Sequence, residues 1–273
     1  MFGSHTKSFH PGRAGQSGLV AAILAQGGYT SSEQALEAKR GWANVVGVTK
    51  PNIQEDLDKW LGMSDLEKSE KAVGLVSGEG KGRWETMRNS FKPFPCGIVI
   101  HPIIDACAQI HVDMTNSKLN VKDIKSIFAR VHPLVLELTG KRKPKDGLEG
   151  KFSVFHGAAI GLIFGKGTPS QYEDSVVKDA EVISIRDKVD AEADPKLGAD
   201  EAIITVTMND GKVLEKHVLH SVGSLEVPMN DEMLQKKFKD QCAGVLGEKV
   251  EAASDACWKI EELKDVAELS KYL

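Results

Sequence analysis

The spacing of apolar residues predicts helices at both ends of the chain. An apolar run at 18–26 predicts a helix with Pro11 in its first turn, and Gly27 and Gly28 end it. Short helices are predicted at 31–38 and 52–61, and the polar stretch 62–88 is expected to be mostly loop. Near the other end, 231–246 repeats apolar residues at helical spacing.

The middle of the chain predicts a mixture of helices and strands. Helices are predicted at 99–114, 151–164 and 175–189, and a strand is predicted within 124–138. The sequence Asn-Asp-Gly at 209–211 separates two alternating runs, 202–208 and 212–219, which is typical of a hairpin. We therefore predict an α+β fold with a mixed module at 91–222, between helical parts at 1–90 and 223–273.

Composition and charge argue against several classes of protein. The 273 residues are 41% hydrophobic and 27% charged, as in an ordinary globular protein. The net charge of -4 argues against nucleic-acid binding, and no apolar run reaches the ~20 residues that a membrane helix needs. Four cysteines without CxxC spacing, and no secretory signal at Met1 to His10, predict reduced thiols and a cytoplasmic location. The histidines and acidic residues lack metal-ligand spacing, so no metal site is predicted.

The first candidate site lies near the start of the chain. Lys7, His10 and Arg13 surround Pro11, at the predicted helix start. Free N–H groups and the helix dipole favour anions at such a place, and an arginine can hold a carboxylate with two hydrogen bonds. The alternative is a surface helix with incidental charges.

Two further candidate sites lie in the mixed module. Lys92 stands between Phe91 and Pro93, which favours an extended backbone with the amine free to reach a pocket. His101 follows shortly, and His156 lies among apolar and small residues, where a histidine needs a specific partner. A hydrogen-bonded core histidine is the alternative at both positions.

Several segments resemble, in order, those of the MmgE/PrpD family of lyases. The first, MFGSHTKSFHPGRAGQSGL, is similar to the family segment K-x-x-H-P-G-R-A-A-Q, and FKPFPCGIVIHPIIDA is similar to K-P-Y-x-C…H-x-x-I-D-A. The later segments are RVHPLVLELTG, KFSVFHGAAIGL, ITVTMNDGKVLEKHV and VPMNDEML. The resemblance extends over nearly the whole chain, and several motifs in one order are more specific than any one of them.

The resemblance implies a partial all-helical body with an α+β lid domain, assembled as a homodimer without metal or organic cofactor. Family enzymes act on small tricarboxylates, by dehydration of 2-methylcitrate or decarboxylation of cis-aconitate, and the resemblance leaves this choice open. By motif, Lys7 and Lys92 resemble the active-site lysines of cis-aconitate decarboxylase, which pair with substrate carboxylates. The candidate catalytic residues are Lys7, Lys92, His10 and His156, and the candidate substrate-binding residues are Arg13 and His101.

The resemblance also identifies the chain as a C-terminal portion of a family member. Relatives carry a further helical segment upstream, in which an aspartate, a threonine and histidines line the site. We therefore expect activity to need that segment, supplied separately. The alternatives are a catalytically inactive remnant or partner subunit with an anion-binding cleft, and a small-anion-binding module without turnover. A tricarboxylate site further predicts that Lys7 and Lys92 face one shared cleft.

Overall fold

The computed structural model describes residues 3–36, 38–46 and 89–272, so the predictions for 52–61 and 62–88 lie outside the described residues. The chain divides into two units, one formed by 1–7 with 90–273 and the other by 8–89. The described helices and strands combine helices with one mixed sheet, and the predicted α+β class is confirmed.

The N-terminal helix is longer than its apolar run predicted. Helix α1 (His5–Gln26) contains Pro11 in its interior, so the prediction that Pro11 belongs to the first turn is wrong. Gly28, with φ +87°, follows its end as predicted. The predicted helix at 31–38 is instead a turn, because a segment this short gains little helical stability without a packed face. A one-turn helix α2 (Trp42–Val45) follows.

The larger unit is built on a four-stranded sheet. Its strands are β1 (Ile124–Val131), β2 (Val189–Ala193), β3 (Ala202–Met208) and β4 (Val213–Val218), in the order β2-β1-β3-β4. Strand β1 runs parallel to β2 and antiparallel to β3, and β3 forms the predicted hairpin with β4. The turn holds Gly211 at φ +89°, a conformation that glycine adopts without strain.

Eight α-helices are described in this unit. They are α3 (His101–Asn116), α4 (Pro133–Thr139), α5 (Gly147–Gly150), α6 (Val154–Phe164), α7 (Asp174–Val177), α8 (Ala180–Arg186), α9 (Asp231–Leu246) and α10 (Val250–Trp258). The predicted strand in 124–138 ends before Pro133, which lacks an N–H and starts α4. The predicted helix at 175–189 is two short helices and the start of β2, because Asp179 caps a new helix.

The core of this unit lies where α3 and α6 pack together against the sheet. All residues of α6 from Val154 to Leu162 are buried, as its apolar and small residues predicted. Gly157 and Gly161 bring the helices close, since a Cβ at Gly161 would lie 2.6 Å from the Cβ of Cys107. Helix α3 therefore holds His101 at its start, and α6 holds His156 in its first turn, at fixed positions in the same core. No helix within the described ranges is long and apolar enough to cross a membrane.

Candidate active site

The loop that carries Lys92 is anchored to the core at both ends. The Phe91 N–H donates to the Gly223 carbonyl at 2.9 Å, and Asp105 of α3 fixes the adjoining segment by accepting from the Val222 N–H at 2.9 Å. At the other end the Gly97 N–H donates to the Lys151 carbonyl at 3.0 Å. These bonds anchor the Lys92 loop to the segment at 222–223 and to Lys151, which precedes α6.

Two lysines and a tyrosine meet around Cys96 of this loop. The exposed amine of Lys92 donates to the Cys96 carbonyl at 3.2 Å. Burial raises the pKa of the Cys96 thiol to about 12, while the Tyr172 hydroxyl and the charges of Lys92 and Lys151 oppose that rise. The thiol is therefore protonated at neutral pH and unsuited to nucleophilic attack. The charges of both lysines therefore act on the Cys96 thiol, which also lies beside the Tyr172 hydroxyl.

His101 is a buried, neutral imidazole next to this loop. Its side chain is 1% exposed, and the Phe94 ring packs edge-on to it, with ring centroids 5.4 Å apart. Burial lowers the pKa of His101 to about 4, and the charges of Lys92 and Lys237 add to that effect, while the carbonyls of Cys96 and Phe94 oppose it. Among the described residues the His101 Nε2 has no hydrogen-bond partner, although it is buried.

His156 is the second buried imidazole. Its backbone N–H donates to the Ser153 hydroxyl at 3.1 Å, and its Nε2 lies 2.9 Å from the Gln171 carbonyl. A carbonyl only accepts, so Nε2 carries the proton and Nδ1 is an acceptor, for which the described part of the chain offers no partner. Burial lowers the pKa of His156 to about 4, opposed by the Gln171 carbonyl and assisted by the charge of Arg186.

Tyr172 connects the two sides of this cluster. Its ring packs against His156 at a centroid distance of 5.5 Å. Its hydroxyl lies close enough to the Cys96 thiol to act on that group's pKa, but the geometry is not that of a hydrogen bond to any described residue. Gly150 packs on the opposite part of His156, where a Cβ would lie 3.4 Å from its Cδ2. The result is a group of side chains around Cys96, here called the Lys92 cluster: Lys92 and Lys151 act on its thiol, His101 lies against its carbonyl, and Tyr172 connects it to His156.

The sequence identified part of this cluster. Lys92, His101 and His156 were predicted as site residues, and the structure brings Lys92 close to His101. Tyr172 and Lys151 were not predicted. Lys151 could have been found, because it opens the segment that contains His156, but nothing in the sequence around Tyr172 indicates its contact with a ring 16 positions away.

The three N-terminal candidates lie on α1. Lys7 is in the first turn, and its backbone N–H donates to the Ser4 carbonyl at 3.1 Å. His10 and Arg13 lie beyond the first four residues, whose N–H groups have no partner within the helix. The helix-terminus argument therefore does not apply to His10 and Arg13. The Arg13 guanidinium donates to the Gln16 side chain at 2.8 Å. That Lys7 and Lys92 share a cleft stays a prediction.

One group in the described part of the chain has the spacing of metal ligands. It consists of Asp200, His220 and Glu226, all exposed. His220 Nδ1 lies 2.6 Å from an Asp200 oxygen, and this pairing raises the pKa of His220. An ion pair explains the arrangement without a metal.

Sequence comparison relates the chain to known lyases. Residues 94–260 match the MmgE/PrpD C-terminal domain, and residues 2–54 match the MmgE/PrpD N-terminal domain. A cis-aconitate decarboxylase of Aspergillus terreus is 23% identical over 287 residues, which cover 100% of this chain and 55% of that protein. The 2-methylcitrate dehydratases of Cupriavidus necator and Escherichia coli K12 are 25% and 26% identical, over 45% and 46% of this chain and 28% of each relative.

The chain thus spans about half the length of the decarboxylase and matches the dehydratases over a shorter region. The C-terminal domain match alone includes the Lys92 loop from Phe94 onward, both buried histidines and all four strands. The chain belongs to the MmgE/PrpD family.

Proposed function

We propose that this chain contributes the Lys92 cluster to a cofactor-independent lyase that acts on small tricarboxylates. Its reaction is a carbon–carbon cleavage, as in cis-aconitate decarboxylase, or a carbon–oxygen cleavage, as in 2-methylcitrate dehydratase. The decarboxylase aligns with the whole chain and the dehydratases with less than half of it, so cis-aconitate is the first substrate to test.

The observation that carries the proposal is the meeting of two amines and two neutral imidazoles. Decarboxylation leaves an electron pair beside the remaining carboxylates, which must then take up a proton. Dehydration removes a proton beside a carboxylate and expels hydroxide. Both reactions build negative charge close to a carboxylate, which ammonium groups stabilise, and both need a group that transfers a proton.

We assign roles on this basis. Lys92 and Lys7 pair with substrate carboxylates, and Arg13 holds a further carboxylate. His156 accepts a proton at Nδ1, because its pKa of about 4 keeps it neutral and its Nδ1 has no described partner, and it supplies a proton only from the imidazolium that this transfer creates. The Nε2 of His101 likewise has no described partner, so it forms a hydrogen bond with the substrate, as donor or as acceptor. The Phe94 ring, which packs on the imidazole, moves aside to allow this contact. His10 is a second proton-transfer group on α1.

Binding of citrate and cis-aconitate by calorimetry tests the carboxylate site. Lys92→Met should weaken binding about tenfold or more, since a charge-assisted hydrogen bond contributes about 1.5–3 kcal/mol. Lys143→Met is the matched control, because Lys143 is also an exposed lysine and lies outside the cluster. Equal affinities of both variants, or no binding of either anion to the unaltered chain, would contradict the proposal.

Turnover separates an active enzyme from the inactive alternative. Proton NMR of cis-aconitate and 2-methylcitrate incubations would identify each product directly. The assay should use the chain alone and the chain with an upstream helical segment of the family, fused or supplied in trans. Product formation that His156→Gln abolishes supports the lyase, whereas binding without turnover in every combination supports a non-catalytic partner subunit.

A further inference from the structure

A second concave surface lies between the segment after α6 and helix α9. Its volume is about 340 Å³, and its lining residues are Lys166, Thr168, Ser170, Lys236, Asp240 and Ala243. Gly165, at φ +62°, ends α6 and turns the chain into this segment. The Thr168 hydroxyl bonds to the Gln171 side chain at 2.8 Å and lies 3.0 Å from the Ser170 hydroxyl, which holds both hydroxyls at the surface of the pocket.

Two lysines and one carboxylate line this pocket, so its side chains carry one net positive charge. Neither Lys166 nor Lys236 forms an ion pair with a carboxylate in the described ranges, and this includes Asp240, one helical turn after Lys236. By comparison, Lys239 on the same helix lies 2.6 Å from Glu251, and Lys216 lies 2.9 Å from Asp113. The pocket therefore brings together two ammonium groups without a direct ion pair and two hydroxyls.

We propose that this pocket, the Lys166–Lys236 pocket, binds a small hydroxylated oxyanion, a hydroxycarboxylate or a sugar phosphate. The ammonium groups neutralise the carboxylate or phosphate, and the Thr168 and Ser170 hydroxyls add hydrogen bonds. The Asp240 carboxylate repels negatively charged groups of a ligand, so it disfavours ligands of high negative charge. It can accept a hydrogen bond from a ligand hydroxyl. The volume is at the lower end of small-molecule sites, which suits a ligand of about citrate size.

The pocket adjoins the candidate active site but shares no residue with the cluster around Cys96. A Cβ at Gly167 would lie 3.4 Å from the Phe94 ring, which packs on His101. Lys237, next to Lys236, acts electrostatically on His101. An anion in the pocket would therefore lie close to the Lys92 loop. The inference does not depend on the proposed lyase activity.

Lysine footprinting on the unaltered chain tests the pocket site by site. The chain is acetylated briefly with an N-hydroxysuccinimide ester, with and without citrate, tricarballylate or inorganic phosphate, and each lysine is quantified by peptide mass spectrometry. Lys166 and Lys236 should react about tenfold more slowly at about ten times the Kd of the anion, because only the empty pocket reacts. Lys249, an exposed lysine outside the pocket, is the internal control and should not change.

The three anions distinguish the ligand classes. Protection by citrate but not by tricarballylate, which lacks the hydroxyl, supports a hydroxycarboxylate and the role of Asp240. Protection by phosphate alone supports a phosphate ester. Failure of all three anions to protect, protection of one lysine only, or equal protection of Lys249 would overturn the proposal.

Two sets of variants separate this pocket from the Lys92 cluster. Lys166→Gln should raise the anion concentration that half-protects Lys236 about tenfold, and Lys236→Gln should do the same for Lys166, since each removes one charge-assisted contact. Lys92→Met should leave the protection of Lys166 and Lys236 in place. Loss of that protection in Lys92→Met would show that the anion binds only at the active-site cluster, and the separate pocket would be refuted.

Discussion

Gly161 is the position where a single methyl group should separate the two helices that hold the buried histidines. In Gly161→Ala the new Cβ would lie 2.6 Å from the Cys107 Cβ and 3.1 Å from the Ile104 carbonyl oxygen. Carbon atoms attract at about 3.5–4.0 Å, so α6 and α3 must move apart by about 1 Å. Neither clash can be relieved by rotating a side chain, because a Cβ and a backbone oxygen are fixed to the helix.

The expected cost follows from two opposing effects. Overpacking a well-packed core costs about 1–3 kcal/mol. Replacing glycine by alanine within a helix returns up to about 1 kcal/mol. We therefore expect a net loss of about 1–2 kcal/mol in the free energy of unfolding. Gly244→Ala in α9 is the matched control, because its Cβ would meet nothing within 4 Å and the change should be neutral or stabilising by up to about 1 kcal/mol.

Urea unfolding followed by circular dichroism measures both variants, and alkylation of Cys107 reports on this core alone. Cys107 is fully buried, so its thiol reacts only when α3 and α6 separate and expose it to solvent. A loss of about 1.4 kcal/mol should make Cys107 react about tenfold faster in Gly161→Ala. Unchanged or slower alkylation, with Gly244→Ala behaving as expected, would show that the helices are not this close.

The other predictions concern pH, the buried tyrosine, turnover and exposed apolar surface. Acidification from pH 6.5 towards 4 should destabilise the larger unit, because the unfolded chain protonates His101 and His156 while their pKa values of about 4 keep them neutral when folded. Each histidine contributes up to about 1.4 kcal/mol per pH unit to the slope of the unfolding free energy against pH, so His156→Gln should roughly halve that slope. An unfolding free energy, measured in urea, that does not change over this pH range in the unaltered chain would contradict the prediction. Tyr172→Phe removes a buried hydroxyl without a described hydrogen bond and should leave the melting temperature unchanged or raise it; a loss above about 1 kcal/mol would mean that the hydroxyl is bonded. The chain alone should bind citrate but turn over cis-aconitate little or not at all, and rapid turnover by a monodisperse preparation would refute the need for an upstream segment. Since α1 has no buried residue, the chain should also bind an apolar dye and self-associate, which fluorescence and sedimentation would check.

The sequence by itself determined the elements whose signals are local. The buried helix α6 follows from an unbroken run of apolar and small residues, and the β3–β4 hairpin follows from Asn-Asp-Gly between alternating strands. Motifs in a fixed order identified the family. They also identified Lys92, His101 and His156 as candidates, because these residues are part of the motifs. Each of these signals needs only the chemistry of a few neighbouring residues.

Local signals failed where distant parts of the chain decide the outcome. Because proline suits a first turn, the sequence predicts a helix start at Pro11, yet α1 begins at His5 and continues through this proline. The strand order β2-β1-β3-β4 depends on how the helices cover the sheet, and no run of residues encodes it.

Only the tertiary structure placed Tyr172 against His156 and joined Lys166 to Lys236 across one pocket. It also decided that both imidazoles are neutral, because their pKa values depend chiefly on burial, and burial is a property of the packed core rather than of the histidine or its neighbours in sequence.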